Sequence, residues 1–299
     1  MDKIKIIFLG TGNAIPTEKR NHTGILLSCA GEQILFDCGE GVQRQFKIAK
    51  ISPVKLTRIF ITHWHGDHIL GLPGLFQTLA TSNYQKTLHV YGPIGTRRFI
   101  SLIQEILIHI KINLYVHEIS SGIALNEKDF QVIAENMVHG PNTLAYSFIL
   151  KEKTRLNKVK IKKLKLPNSP LLGKLQSGQD ILWEGKKIKA SSLTYKEKCK
   201  KITIILDTKM NNKAINLARH SDLLITESTF SEKDQKKAEE YFHLTAKDAA
   251  TIAKKSKSKN LILTHISERY EHRLYAIEKE AKKTFKNSKI AKDFDSIVI

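Results

Sequence analysis

The chain of 299 residues carries 49 Lys and Arg against 29 Asp and Glu, so its formal net charge at pH 7 is +20. Its composition, 41% hydrophobic and 26% charged, is that of a globular protein, and no apolar run approaches the ~18 residues of a membrane span. The three cysteines, Cys29, Cys38 and Cys199, lack CxxC spacing. They argue against a disulfide framework and favour a reducing compartment, the cytoplasm.

The first half of the chain is predicted to be mainly strands. "IKIIFLG" (4–10), "GILLSC" (24–29), "QILFDCG" (33–39) and "RIFIT" (58–62) are short apolar runs of the kind that form strands. "LHVYG" (88–92) continues this pattern, and 95–107 has apolar residues at helical spacing. Strand-like runs follow at 112–119, 130–138 and 144–150.

A basic segment then interrupts the alternation. Residues 151–201 hold 16 Lys and Arg against four acids, more than half of the net charge of the whole chain. This local excess favours a surface that binds a polyanion, with nucleic acid as the first candidate and an anionic membrane surface as the second. Residues 151–190 are predicted to be an inserted arm, partly β-ribbon and partly loop.

The last third returns to strands, "ITIIL", "DLLIT" and "NLILT", with helices predicted near 212–220, 245–257 and 273–285. The alternation predicts a layered α/β fold. Four strands each precede a polar side chain, namely His63, Asp207, Glu227 and His265. Because ligand-binding loops collect at the carboxyl ends of strands in α/β sheets, we expect these four side chains to share one cleft.

The stretch "HWHGDH" (63–68) is the strongest chemical signal. His63, His65, Asp67 and His68 cannot all face one ion from a helix or a straight strand, but a tight loop eased by Gly66 can split them into pairs that face two neighbouring ions. Imidazole nitrogen and carboxylate oxygen are ligands that Zn²⁺ accepts at ~2.0–2.2 Å.

This motif resembles the HxHxDH signature of the metallo-β-lactamase fold, and its surroundings resemble the ribonuclease Z family, whose members trim the 3′ ends of precursor tRNAs. Similar stretches run through nearly the whole chain: "IFLGTGNAIPTEKRN", "ILFDCGEGVQRQ", "ITHWHGDHILGLPGL", "VHGPNTLAYSF", "PLLGKLQSG", "HLTAKDAA" and "LTHISERY". The resemblance implies a single domain over 1–299, an αββα sandwich with the 151–190 segment as a flexible tRNA-binding arm. The chain departs from the family pattern at Leu206, where glycine is usual, and in "TEST" (226–229), where the family has HEAT.

The resemblance also implies the site. One zinc ion would be held by His63, His65 and His139, a second by Asp67, His68 and His265, and Asp207 would bridge the two. Asp67 would also orient the attacking water, His243 would assist the leaving oxygen, and Glu227 would orient His243. The expected products are tRNA with a free 3′-hydroxyl and a trailer with a 5′-phosphate, released by a homodimer whose substrate is precursor tRNA.

Two alternatives stay open at this level. A small-molecule hydrolase of the same superfamily, such as a lactonase or thioesterase, would share the zinc site but would not require the basic arm. A catalytically silent RNA-binding protein on the same scaffold would be expected to have gaps in its ligand set, whereas all seven positions are present here. Incubation with precursor tRNA, with and without a chelator, separates the three.

Overall fold

The computed structural model describes residues 3–107, 112–140 and 142–299. Its first half contains six strands and four helices within these residues, in chain order β1 (Lys5–Gly10), β2 (Gly24–Cys29), β3 (Glu32–Phe36), α1 (Val42–Ile48), β4 (Arg58–Phe60), α2 (Gly66–Ile69), α3 (Leu72–Thr81), β5 (Thr87–Gly92), α4 (Thr96–Ile106) and β6 (Asn113–Glu118). A 3₁₀ turn, Pro53–Lys55, precedes β4. The predicted strands and the predicted helix at 95–107 are all found. The helices α1 and α3 were not predicted, although Leu72, Leu75, Phe76 and Leu79 have helical spacing and are buried.

The middle of the chain adds three strands and the arm. The strands are β7 (Gly122–Asn126), β8 (Phe130–Asn136) and β9 (Leu144–Leu150). The arm comprises β10 (Lys153–Leu156), α5 (Lys158–Lys163), α6 (Pro170–Gln176), β11 (Ile181–Trp183), β12 (Lys186–Ile188), α7 (Ala190–Leu193) and β13 (Thr194–Glu197).

The last third consists of β14 (Lys200–Ile205), α8 (Asn212–Leu217), β15 (Leu223–Glu227), α9 (Gln235–Glu240), α10 (Ala246–Lys255), β16 (Leu261–Thr264), α11 (Leu274–Thr284), β17 (Ser288–Ile290) and β18 (Ser296–Val298). Short 3₁₀ turns lie at Glu232–Asp234 and Glu268–Tyr270. The three helices predicted here are α8, α10 and α11, and each starts within a residue of its predicted position. The helix α10 begins with a capping box between Thr245 and Asp248, which satisfies amide groups that would otherwise lack partners.

Within the described residues the strands form two seven-stranded sheets, in the orders β18-β1-β2-β3-β4-β5-β6 and β17-β16-β15-β14-β9-β8-β7. Strands β3 to β6 run parallel, as do β14 to β17.

Three buried clusters define the layers. The cluster of Phe8, Phe36 and Tyr146 lies between the sheets, and the others pack α1, α3 and α4 on one outer face and α8, α10 and α11 on the other. The predicted αββα sandwich is confirmed.

The arm has more internal structure than the sequence predicted. Strands β10 and β13 pair antiparallel as its stem, and β11 and β12 form a hairpin farther along the chain. Three short helices pack with that hairpin around a small apolar cluster that includes Leu166, Leu175 and Ile181. The stem strand β13 ends at Glu197, beyond the predicted boundary at residue 190, and the buried Glu197 accepts a hydrogen bond from Arg155 at 2.7 Å. In the described part of the chain, no helix is long and apolar enough to cross a membrane.

Candidate metal centre

The "HWHGDH" loop follows β4 and turns at Gly66 into α2, and its two pairs of donors join two different groups of metal-competent side chains. The first pair, His63 and His65, brings His63 Nε2 to 3.0 Å from His65 Nδ1. His139, from the loop between β8 and β9, places Nε2 at 3.2 Å from the same atom of His65. Three imidazole nitrogens therefore converge from two sheets.

The second pair, Asp67 and His68, lies on α2 and meets His265, which follows β16. The distance from His265 Nε2 to Asp67 Oδ2 is 3.2 Å, and that from His265 Nε2 to His68 Nε2 is also 3.2 Å. His265 has a φ of 55°, a left-handed conformation that is uncommon outside glycine, and this backbone turn lets a residue that follows a buried strand reach the cluster.

We call His63, His65 and His139 the first group of donors, and Asp67, His68 and His265 the second group. Asp207, which follows β14, lies between them. Its Oδ2 is 3.5 Å from His63 Nε2 and 3.6 Å from His139 Nε2. Its Oδ1 is 3.4 Å from His68 Nε2 and 3.2 Å from His265 Nε2. One carboxylate thus presents one oxygen to each group. The neighbouring Leu206, where the family has glycine, packs into the apolar cluster between the sheets.

The chemistry of this donor set fits two metal ions. The ligand atoms of His63, His65, His139 and Asp207 all lie within 4.8 Å of one another, and the same holds for the group of Asp67, His68 and His265. Asp207 Oδ1 is buried and accepts no hydrogen bond from any described residue, although unpartnered buried carboxylate oxygens are costly. A cation between the nitrogens and this oxygen would satisfy it.

The outward nitrogens of four of the histidines are held by groups that the sequence analysis did not identify, and the first is Nδ1 of His63, which lies 3.0 Å from Thr62 Oγ1. His68 Nδ1 lies 2.6 Å from Asp37 Oδ2, and His265 Nδ1 lies 2.8 Å from Thr229 Oγ1. His139 Nδ1 lies 3.1 Å from the carbonyl oxygen of Phe242. With the proton on Nδ1, each ring donates outward and leaves Nε2 free to face the cluster, as is usual for histidine ligands of metals.

Asp37 could have been found from the sequence, because it follows β3 as the other polar side chains follow their strands. Its carboxylate is fully buried and also accepts hydrogen bonds from the backbone N–H and the hydroxyl of Thr62, both at 2.7 Å. Thr229 and Phe242 carry no comparable signal, since their contacts arise only once the loops are folded.

The electrostatics keep the two acidic donors ionised. Burial by itself would raise the pKa of Asp67, but His68 and His265 hold it below its usual range. The pKa of Asp207 is likewise lowered against the effect of burial, chiefly by His265 and His68. Burial would lower the pKa of His68, yet Asp207, Asp37 and Asp67 raise it.

His243 and Glu227 form a pair beside the cluster. Glu227, at the end of β15, is fully buried, and its two carboxylate oxygens lie 3.1 and 3.0 Å from His243 Nδ1. Glu227 also accepts hydrogen bonds from Thr208 N–H at 2.7 Å and Thr229 Oγ1 at 2.5 Å, which fix its orientation. Burial would lower the pKa of His243, but the charges of Glu227 and Asp207 raise it to about 9.

The structure therefore brings all nine candidate residues to one cleft, at the ends of strands from both sheets. The ring of His243 lies 5.1 Å from that of His139 and 5.6 Å from that of His265, centroid to centroid. His243 is also within ligand distance of Asp207 and His265, so proximity alone does not distinguish an acid from a ligand at this position. Its Nδ1 bond to Glu227 is the feature that sets it apart.

Comparison with known proteins places this geometry in context. A protein of Enterococcus faecalis named Ribonuclease Z is 37% identical over 99% of this chain and 97% of its own length. The crystal structure of human tRNase Z, short form, has a TM-score of 0.71 and 27% identity, covering 98% of each chain. The metallo-β-lactamase fold protein YhfI of Bacillus subtilis, at 19% identity and a TM-score of 0.73 over the whole of both chains, shares the fold.

A family model described as the anti-Pycsar protein Apyc1 matches residues 4–98. That match includes the "HWHGDH" loop but spans less than half of the chain, and it reaches neither the arm nor His139, Asp207, His243 or His265.

Proposed function

We propose that this chain, which belongs to the ribonuclease Z family, is a metal-dependent endoribonuclease that removes the 3′ trailer from precursor tRNA. The observation that carries the proposal is the position of Asp207, with one carboxylate oxygen toward each group of donors and with the His243–Glu227 pair alongside. A bare RNA-binding scaffold would not need this arrangement.

Two zinc ions fit the two donor groups, with His63, His65 and His139 around one, Asp67, His68 and His265 around the other, and Asp207 between them. Bound there, such ions would supply a clamp on the phosphodiester and lower the pKa of water from 15.7 towards ~7. The absence of cysteine from both groups is compatible with other ions that accept nitrogen and oxygen ligands, but the three-histidine group is typical of zinc.

Asp67 orients the attacking water and accepts its proton. Its lowered pKa keeps the carboxylate ionised and so able to accept a hydrogen bond from that water. The water oxygen forms a bond to phosphorus as the bond from phosphorus to the upstream 3′-oxygen breaks. The water therefore ends on the trailer, which leaves with a 5′-phosphate.

His243 supplies the proton for the leaving 3′-oxygen. Its Nδ1 is occupied by Glu227, so Nε2 is the atom that can reach the substrate. With a pKa of about 9 the ring carries this proton at neutral pH, and a positioned acid of this kind contributes roughly 10²–10⁴-fold to a rate. The mature end of the tRNA is then a free 3′-hydroxyl.

The arm, residues 151–190 together with the rest of its stem, binds the body of the tRNA. Helix α5 has four lysines and no acid, and all four are exposed. Contacts from lysine to phosphate give affinity and position without reading sequence, which suits an enzyme that processes many tRNAs. The folded cluster inside the arm gives these charges a defined spacing.

The chain acts as a homodimer in the cytoplasm, in which the arm of one subunit grips the tRNA that the other cleaves. Support for an interface comes from the apolar outer face of α4, where Phe99, Leu102 and Ile106 are exposed and Trp64 stacks on Phe99 at 4.5 Å. The free state of all three cysteines is compatible with a reducing compartment.

The test is incubation of the purified protein with a precursor tRNA, with and without a chelator. Cleavage after the last tRNA nucleotide, lost with chelator and regained with zinc, supports the proposal. Hydrolysis of a lactone or thioester without cleavage of tRNA would instead indicate a small-molecule hydrolase. Binding of tRNA without any hydrolysis would indicate the silent scaffold.

A further inference from the structure

Phe242 occupies an unusual position at the edge of the metal cluster. It follows the C-terminal end of α9 with a φ of 56°, where glycine or asparagine is normally preferred. The next residue, His243, donates its backbone N–H to the carbonyl oxygen of Ala238 at 2.8 Å, which closes the turn. The carbonyl oxygen of Phe242 contacts His139 Nδ1, so the backbone here is tied to a donor of the first group.

The side chain of Phe242 is not needed for that contact and is 42% exposed. Lys209, two residues after Asp207, places its Nζ 6.0 Å from the centroid of the Phe242 ring. Its backbone N–H donates to the carbonyl oxygen of Val138 at 2.8 Å, which holds the start of its side chain beside the His139 loop. An aromatic face and an ammonium group thus lie together at the rim of the cleft.

We propose that Phe242 and Lys209 form a nucleotide-binding subsite for the nucleotide immediately 5′ of the scissile bond. The ring stacks on its base, and the ammonium group contacts its phosphate. The inference rests on the proposed function, because the adjacent His243 is the group assigned to the 3′-oxygen of this same nucleotide. Stacking tolerates every base, so the subsite would position the end of any tRNA without selecting its sequence.

The conformation of Phe242 permits a clean variant. Phe242→Asn keeps a residue that tolerates a positive φ, keeps the carbonyl oxygen that contacts His139, and removes the ring. Phe294→Asn is the matched control, since Phe294 also has a positive φ, 69°, and is 39% exposed, but lies in the turn before β18.

Each protein is tested on two precursor tRNAs, one complete and one with an abasic ribose immediately 5′ of the scissile bond. We expect the missing base to lower kcat/KM of the parent and of Phe294→Asn by roughly tenfold. Phe242→Asn should cleave the complete substrate roughly tenfold more slowly than the parent and lose nothing further on the abasic one. Lys209→Gln should weaken binding and reduce the salt dependence by about one phosphate contact.

If Phe242→Asn lowers kcat/KM relative to the parent by the same factor on the complete and on the abasic substrate, the inference is overturned, because the residue would then only support His139. A parental rate on the complete substrate would overturn it as well, and an unchanged salt slope in Lys209→Gln would remove Lys209 from the subsite. If the parent itself cleaves neither tRNA, the proposed function fails, and the subsite fails with it. Zinc content, measured for every variant, separates loss of metal from loss of the base contact.

Discussion

Glu227 presents both of its carboxylate oxygens to Nδ1 of His243, at 3.1 and 3.0 Å, and is itself fully buried. Glu227 also accepts hydrogen bonds from the backbone N–H of Thr208 and from the hydroxyl of Thr229. Because Thr229 also contacts Nδ1 of His265, one hydroxyl links the acid pair to the second group of donors. A substitution of Glu227 should therefore change the pKa of His243 before it affects the other donors.

Glu227→Gln should lower kcat on precursor tRNA by roughly 10²-fold at pH 8, since removing the carboxylate takes away the main influence that raises the pKa of His243. In the parent, the ring loses its proton as the pH rises through its pKa, so kcat falls on the alkaline side. In the variant this alkaline limb should move to lower pH. The measurement is kcat against pH for zinc-loaded proteins, with the exposed Glu240→Gln as control. An unshifted alkaline limb would show that His243 is not the acid.

Asp37→Asn should lower zinc affinity about 10–100-fold, because it weakens the bond that orients His68. Asn also tolerates the positive φ of 55° that Asp37 adopts, so the fold should persist. Competition with a coloured chelator gives the affinity, and Glu40→Gln, an exposed change in the same loop, is the control. Equal zinc affinities for Asp37→Asn and the parent would mean that Asp37 serves only the packing of the loop.

Removal of the arm should cripple cleavage of precursor tRNA while sparing hydrolysis of a small chromogenic phosphodiester. The structure shows where the arm can be removed, because its two ends meet where the backbone N–H of Asn157 donates to the carbonyl oxygen of Leu193 at 2.7 Å. Deleting 157–193 and joining β10 to β13 through an Asn-Gly turn keeps the stem and its register. We expect kcat/KM on tRNA to fall roughly 10²–10³-fold, as lost phosphate contacts require. Parallel loss on both substrates would make the arm part of the fold.

Replacing the four lysines of α5 by glutamine should raise KM for precursor tRNA and flatten its dependence on salt. Each phosphate contact contributes a slope of about −0.9 in log affinity against log salt on a duplex. The affected residues are Lys158, Lys160, Lys162 and Lys163. Filter binding at several salt concentrations measures the slope. The control replaces Lys254 and Lys255, two exposed lysines of α10, which lies outside the arm. Identical slopes in the two variants would remove α5 from the tRNA contact.

Much of the site could be predicted from how strands end. His63, Asp207, Glu227 and His265 each follow or close a buried strand, and the parallel strands bring them to one edge of the sandwich. His139 lies instead in a loop between antiparallel strands, where local pattern does not distinguish a ligand from a solvated histidine. Its place among the donors followed from family resemblance.

The arm and the groups behind the donors show where such prediction ends. The helices of the arm are four to seven residues long, too short for a periodic pattern to emerge, and their apolar side chains face a small cluster of their own. Thr229 and Phe242 act through contacts with residues far along the chain. Such contacts depend on how the loops fold and leave no spacing in the sequence.

The most direct test of the two-ion site is a zinc titration of chelator-treated protein, followed by release of trailer from precursor tRNA. We predict that cleavage rises with added zinc and saturates at two equivalents per chain, with a 5′-phosphate on the trailer, and that Asp207→Ala stays inactive throughout. Full cleavage in the presence of chelator would contradict the two-ion site. Cleavage by zinc-saturated Asp207→Ala at the rate of the parent would contradict it as well.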